Sequence, residues 1–220
     1  MGAKGDGPRE EIEYWRKRMQ KLTCLVEEMK SPNVRLVQSV IKNDSKNNSD
    51  SLSPQSNVYM MMSTWKTQEI KVTEALNEAK DNEKYLQTLE KFIDPLYNGT
   101  PEEIKDTLPA LMNSIKMIHT IARYYNTNDR MTELFRKITI TMVETCKRTI
   151  QRGKNSDEML WEYPPEELLP VFKSCIDLNI EYQHQYKLTK DRLMSMPKGK
   201  QFDFSSNQIF HKFDMFCRRV

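Results

Sequence analysis

The chain has 220 residues, 30% of them charged and 38% apolar, with six glycines and a formal net charge of +3. That length supports a real hydrophobic core in one large domain or two small ones. Bases alternate with acids, as in Arg9-Glu10-Glu11 and Glu90-Lys91, so the basic stripe that phosphate neutralisation requires is missing and a nucleic-acid binder is excluded.

Residues 1–8 are glycine-rich, lack the apolar stretch of a secretory signal, and are expected to be disordered. Met1-Gly2 opens like a myristoylation site, but Asp6 stands where Ser or Thr is needed. From Pro8 to Lys30 the apolar residues Ile12, Trp15, Met19, Leu22, Val26 and Met29 step by three and four, which predicts a helix. The stripe is too short for a coiled coil, so a bundle helix is the better expectation. Ser31-Pro32-Asn33 breaks it, and a short helix over Val34 to Ile41 places Val37, Val40 and Ile41 on one side. These elements make 9–41 a first helical segment. Asn, Ser and Asp then dominate Asn43 to Asn57, where Leu52 is the one large apolar side chain. So little surface to bury cannot offset chain entropy, and a flexible linker over 42–58 is expected.

A long helix is predicted from Tyr59 to Ile93, with Trp65, Val72, Leu76, Ala79, Leu86, Leu89 and Ile93 as its buried stripe. Asn82-Glu83 is a polar gap in it, and Asp94-Pro95 ends it. At about 1.5 Å per residue this helix spans roughly 50 Å. The methionines at 60, 61 and 62 cannot all face one core, which hints at an adaptable apolar surface. Thr100, Pro101 and Glu103 form a helix start with a capping box. The helix that follows carries Ile104, Leu108, Leu111, Ile115, Ile118, Ala122 and Tyr125 as a regular seam, widened by Met112 and Ile121. Pro109 removes one backbone donor, so a bend near Lys105 is expected. Tyr124, beside Tyr125, must point elsewhere, into a neighbouring helix or a partner.

Asn126-Thr127-Asn128 separates that helix from the next, Asp129 to Arg152, with Met131, Phe135, Ile138, Met142, Cys146 and Ile150 inward and Gly153 as its cap. After a loop over Lys154–Tyr163, Pro164-Pro165 opens a helix to Met194, interrupted or kinked at Pro170 and stopped by Pro197-Lys198-Gly199. Phe202 and Phe204 alternate with polar residues in an extended piece. Ser205 or Ser206 then caps a last helix bearing Ile209, Phe210, Phe213 and Phe216, whose pattern looks unfinished at Val220, as in a piece of a longer chain. The fold class is all-α, a bundle of long antiparallel helices, with 59–220 as its main body.

Gly153-Lys154 and Gly199-Lys200 are followed by neither Ser nor Thr, and Thr149 and Met194 stand where a phosphate-binding loop needs glycine. His119, His184 and His211 lie far apart with no local nucleophile and orienting partner, so no catalytic residue is assigned. Glu102-Glu103 and Glu166-Glu167 stand at helix starts, where the helix dipole favours negative charge. Cys24, Cys146, Cys175 and Cys217 have neither metal-ligand nor disulfide-framework spacing and are read as reduced core thiols. No cofactor or metal is expected, and no apolar run approaches the ~18 residues that would suggest a membrane span. Trp15 and Trp65 are core anchors or interface hot spots.

One stretch carries more than periodicity. Residues 77–127, NEAKDNEKYLQTLEKFIDPLYNGTPEEIKDTLPALMNSIKMIHTIARYYNT, closely resemble the N-terminal tail of axonemal dynein heavy chains, as do EIEYWRKRMQKL at 11–22 and GKQFDFSSNQIFHKFDMFCRRV at 199–220. The likeness covers roughly residues 9–41 and 65–220. His211 departs from it, since a small residue is expected between the two phenylalanines. The resemblance implies an elongated all-α stem that joins heavy chains and docks intermediate and light chains in a ciliary or flagellar arm. Contact with microtubules would then be indirect, through the assembled motor, and ATP hydrolysis would lie elsewhere in the protein. Leu86, Leu89, Leu111, Ile115, Ile118 and Tyr125 match it as helix-packing positions. An alternative is a freestanding helical adaptor that competes with full-length heavy chains for their subunits.

Overall fold

The computed structural model describes residues 7–47, 57–151, 164–195 and 201–220, and no strand occurs among them. The predicted disorder of 1–8 falls mostly outside these residues, as do Gly153, the loop over 154–163 and the stop at 197–199. The helices are α1 (Pro8–Met29), α2 (Pro32–Asn47), α3 (Asn57–Leu86), α4 (Ile93–Asn98), α5 (Pro101–Ile121), α6 (Asn128–Gln151), α7 (Pro165–Met194) and α8 (Ser206–Cys217). They form two compact units, Met1–Tyr14 with Lys84–Val220, and Trp15–Glu83.

In the first unit α5 packs most extensively on α7 and α6 on α8, while α4 lies against α6. The seam residues Ile104, Leu108, Leu111, Ile115 and Ile118 are all buried, as are the inward residues of α6 from Met131 to Ile150. Burial of each large aliphatic side chain is worth about 1.5–3 kcal/mol, so two such seams dominate the stability of this unit. Ile121 does not widen the α5 face; it is 57% exposed. The helix also stops there instead of reaching Tyr125, with Ala122 leaving helical geometry at ψ 138°. Tyr125 is buried from the turn that follows, so the three-four spacing there imitates a helix that has already ended.

The α5 start matches its prediction in both directions. The Glu103 amide donates to Thr100 Oγ1 at 3.3 Å, and the Thr100 amide donates to Glu103 Oε2 at 2.8 Å. Helix continues past Pro109 and past Pro170, so the interruption expected at Pro170 is absent. Each proline forfeits one backbone bond, and the buried faces of α5 and α7 outweigh that loss.

The helix predicted to Ile93 changes character earlier. At Gln87 it tightens into a 3₁₀ helix that ends at Phe92. Three residues per turn place Phe92, not Ile93, three positions after Leu89 on the inner side, and Phe92 is the one buried. Asp94-Pro95 is not a stop. Pro95 falls in the first turn of α4, where its missing N–H is not needed, and Leu96 is buried one residue on.

In the unit Trp15–Glu83, α1 buries Trp15 and half-buries Met19, Leu22, Val26 and Met29, the spacing read from sequence. Arg16 pairs with Glu83 across to α3 at 3.6 Å. Along α3 burial deepens toward the C-terminal end: Trp65 and Val72 are half-buried, Leu76 and Ala79 buried. Asn82, read as a polar gap, is fully buried. Helix α2 runs six residues beyond Ile41, and α3 begins at Asn57, so helix takes in both ends of the Asn/Ser-rich stretch. Once nucleated, a helix adds residues at little cost even when they are poor formers. The centre of that stretch, 48–56, lies outside the described residues.

Candidate functional site

The most polar buried feature sits where three sequence-distant segments meet. Glu11, in the first turns of α1, accepts a hydrogen bond from Lys137 Nζ of α6 at 2.7 Å and another from the Tyr125 hydroxyl at 3.0 Å. Lys137 is 1% exposed. Desolvating two charges costs several kcal/mol each unless geometry and extra hydrogen bonds offset it, and the Tyr125 hydroxyl supplies such a bond. Burial first, then the negative charge of Glu11, pushes the Tyr125 hydroxyl well above its ordinary range, which keeps it a donor. Nearby, Arg9 stacks over the Tyr97 ring at 4.3 Å, and Tyr97 donates to Glu10 Oε2 at 2.9 Å. From α6, Thr145 donates to the Leu96 carbonyl at 2.6 Å, and Arg148 donates to the Tyr97 carbonyl. The start of α1 is thereby pinned to α4 and α6.

A second cluster is aromatic. The extended residues before α8 insert Phe202 and Phe204 beside His119, Phe135 and Tyr186. His119 meets the two phenylalanine rings edge-on at 5.2 and 5.5 Å. Tyr186 holds the segment by its backbone, donating to the Phe204 carbonyl at 3.1 Å and accepting from the Phe204 amide at 2.9 Å. Closure of α5, α6 and α7 by a strap of this kind explains why alternating phenylalanines occur in a piece with no strand partner.

Leu86, Leu89, Leu111, Ile115, Ile118, Tyr125 and Trp15 are all buried. Tyr124 is half-buried; its carbonyl accepts from Arg130 at 2.8 Å and the Arg123 guanidinium lies 5.4 Å from its ring centre. Trp65 shares the unit Trp15–Glu83 with Trp15, apart from the other named residues, and is half-buried beside Met61 and Met62. The residues named from sequence are therefore not one site.

No group of three or more His, Cys, Asp or Glu side chains suited to a metal ion occurs among the described residues. The three histidines stay apart: His119 is in the aromatic cluster, His184 is exposed 3.6 Å from Glu181, and His211 is exposed on α8. The cysteines divide in a way spacing did not show. Cys24 is exposed and is no core thiol, because its helix position turns away from the α1 stripe. Cys146 of α6 and Cys175 of α7 are both buried and share a hydrogen bond. That bond, then burial, pushes the Cys146 thiol up, so it stays protonated. Burial raises Cys217 to about 11.

Sequence reasoning missed Glu11 and Lys137. Glu11 reads as an ordinary first-turn acid. Lys137 gave one faint signal: it occupies a helical row with Leu134, Thr141 and Thr145, all of them buried.

The likeness to known proteins runs along nearly the whole chain. Residues 2–220 fit the family model described as dynein heavy chain, N-terminal region 1. The chain belongs to the dynein heavy chain family. It is 39% identical over 214 residues to dynein axonemal heavy chain 5 of Rattus norvegicus, covering 97% of this chain and 6% of that protein. It is 38% identical over 210 residues to the dynein gamma chain of the flagellar outer arm of Chlamydomonas reinhardtii, covering 95% and 4%. Dynein axonemal heavy chain 8 of Homo sapiens is 34% identical over 214 residues, covering 97% and 4%. The chain thus spans about one twentieth of the length of these relatives, within the region that the family model calls N-terminal.

Proposed function

We propose that this dynein heavy chain segment is a non-catalytic scaffold of an axonemal motor, acting in heavy-chain association and in docking intermediate and light chains. The observation that carries this is the near-complete match to the N-terminal region of heavy chains whose names are axonemal or flagellar. Helices whose buried faces hold seams, pins and an aromatic strap suit a load-bearing element, since close-packed cores transmit strain. The proposed location is the axoneme of a cilium or flagellum, with microtubules reached only through the assembled motor.

Affinity capture from ciliated-cell extract with the whole chain tests this. Recovery of dynein heavy and intermediate chains is expected. Their absence, from a chain that is folded by circular dichroism, overturns the scaffold function.

A further inference from the structure

Three of the four cysteines converge where α6, α7 and α8 pack together. Two contacts fix the register of α6 against α7: the Phe135 and Tyr186 rings lie 5.5 Å apart, and Thr139 donates to the Tyr182 hydroxyl at 3.5 Å. Four residues forward on α6 thus answer four residues back on α7, so the helices run antiparallel. Two turns further along the same faces, Cys146 comes opposite Cys175. Both are fully buried, and the Cys146 thiol donates a hydrogen bond to the Cys175 sulfur.

Helix α8 runs back along α7 in the same manner. The Tyr182 and Phe210 rings lie 5.1 Å apart, and one turn on Asn179 donates to Asp214 at 2.9 Å. A further turn brings Cys217 level with Cys175. Cys217 is half-buried, so of the three sulfurs it is the one that solvent reaches. The trio lacks the geometry of a metal site, which leaves the chemistry of sulfur exchange.

We propose that Cys146 and Cys175 are a reversible redox centre, closing to a disulfide by exchange with a small-molecule disulfide of the glutathione type, with Cys217 as the entry sulfur. The Cys217 thiolate attacks the small disulfide, giving a mixed disulfide and one small thiolate, which takes up the proton that Cys217 lost. Cys175 attacks the Cys217 sulfur and expels the second small thiolate, which takes its proton likewise. Cys146 then attacks the Cys175 sulfur, and its proton goes to the departing Cys217 thiolate. Two protein thiols have lost two electrons and two protons, and the small disulfide has gained them as two thiols. The hydrogen bond from Cys146 holds the Cys175 thiol below its ordinary value, which favours the attacking thiolate. Burial holds Cys217 at about 11, so its thiolate is scarce and entry is the slow step. In a reducing compartment such a bridge is transient, and while closed it locks α6 to α7 across the core. This reading stands apart from the scaffold function and involves no partner.

The test uses the whole chain carrying Cys24→Ser, which removes the exposed thiol of α1. The folded protein is equilibrated in buffers of reduced and oxidised glutathione, quenched with acid and alkylated, and its peptides are mapped by mass spectrometry without reduction. A Cys146–Cys175 cross-link that dithiothreitol reverses is expected. Cys217→Ser should slow its formation about tenfold or more and leave the equilibrium yield unchanged, because the entry sulfur is regenerated. Cys146 and Cys175 that stay free in the folded chain, in buffers that glutathionylate Cys217, overturn the proposal. So does a cross-link that forms only in denaturant, or a stable Cys175–Cys217 bridge in its place. A cross-link that forms as fast in the Cys217→Ser chain overturns the entry role.

Discussion

A buried lysine 126 residues from its carboxylate partner is a commitment made by single side chains. Because Glu11 and Lys137 are desolvated together, removing either leaves an uncompensated charge, at a cost of about 3–5 kcal/mol. Lys137→Met and Glu11→Leu should each lower the denaturation midpoint by that order. The double variant should lose much less than the sum, and additive losses in the double-mutant cycle would show that the pair is not coupled. Tyrosines give the pH dependence. Tyr97, Tyr125, Tyr182 and Tyr186 are all raised, chiefly by burial. A group raised in the folded state holds its proton where the unfolded chain has lost it. Its stabilising contribution is therefore complete below the ordinary value of 10 and declines as pH rises beyond it. Chemical unfolding monitored against pH should show stability falling from about pH 10 upward. Tyrosinate absorbance in the folded chain should lag that of the unfolded chain, and coincident titrations would contradict the burial of these rings.

At the scale of elements, the most local signals were the most legible. The capping box at Thr100 needs only four residues, so both its bonds could be read before any packing was known. Thr100→Ala should cost about 0.5–2 kcal/mol, read from the midpoint of denaturant unfolding, and Thr100→Asn should restore most of it. Where packing set the geometry, sequence reasoning slipped by a residue or a turn. The 3₁₀ helix at Gln87–Phe92 moved burial from Ile93 to Phe92, and α5 stopped before Tyr125. A helical row of apolar residues does not reveal which turn tightens or opens, because the neighbouring helix makes that choice. The same limit hid Cys146 and Cys175, which share a hydrogen bond only because α6 and α7 lie side by side.

At the scale of the whole molecule, burial is concentrated in α5, α6, α7 and α8, while α2 and the start of α3 keep most side chains exposed. Regions with few buried apolar contacts open locally at low free energy. Amide hydrogen exchange should be fast over α2 and the first turns of α3, and slow by several orders of magnitude over α5 and α6. Uniform protection would contradict the two-unit description.

Helix content, the capped start of α5, its seam and the family were decided by the sequence alone, since each depends on residues within a few turns of one another. Which lysine is buried, where a helix tightens, which thiols meet and which apolar face stays open were decided only in three dimensions. Those outcomes depend on what lies across from a side chain, and residues far apart in the chain supply it.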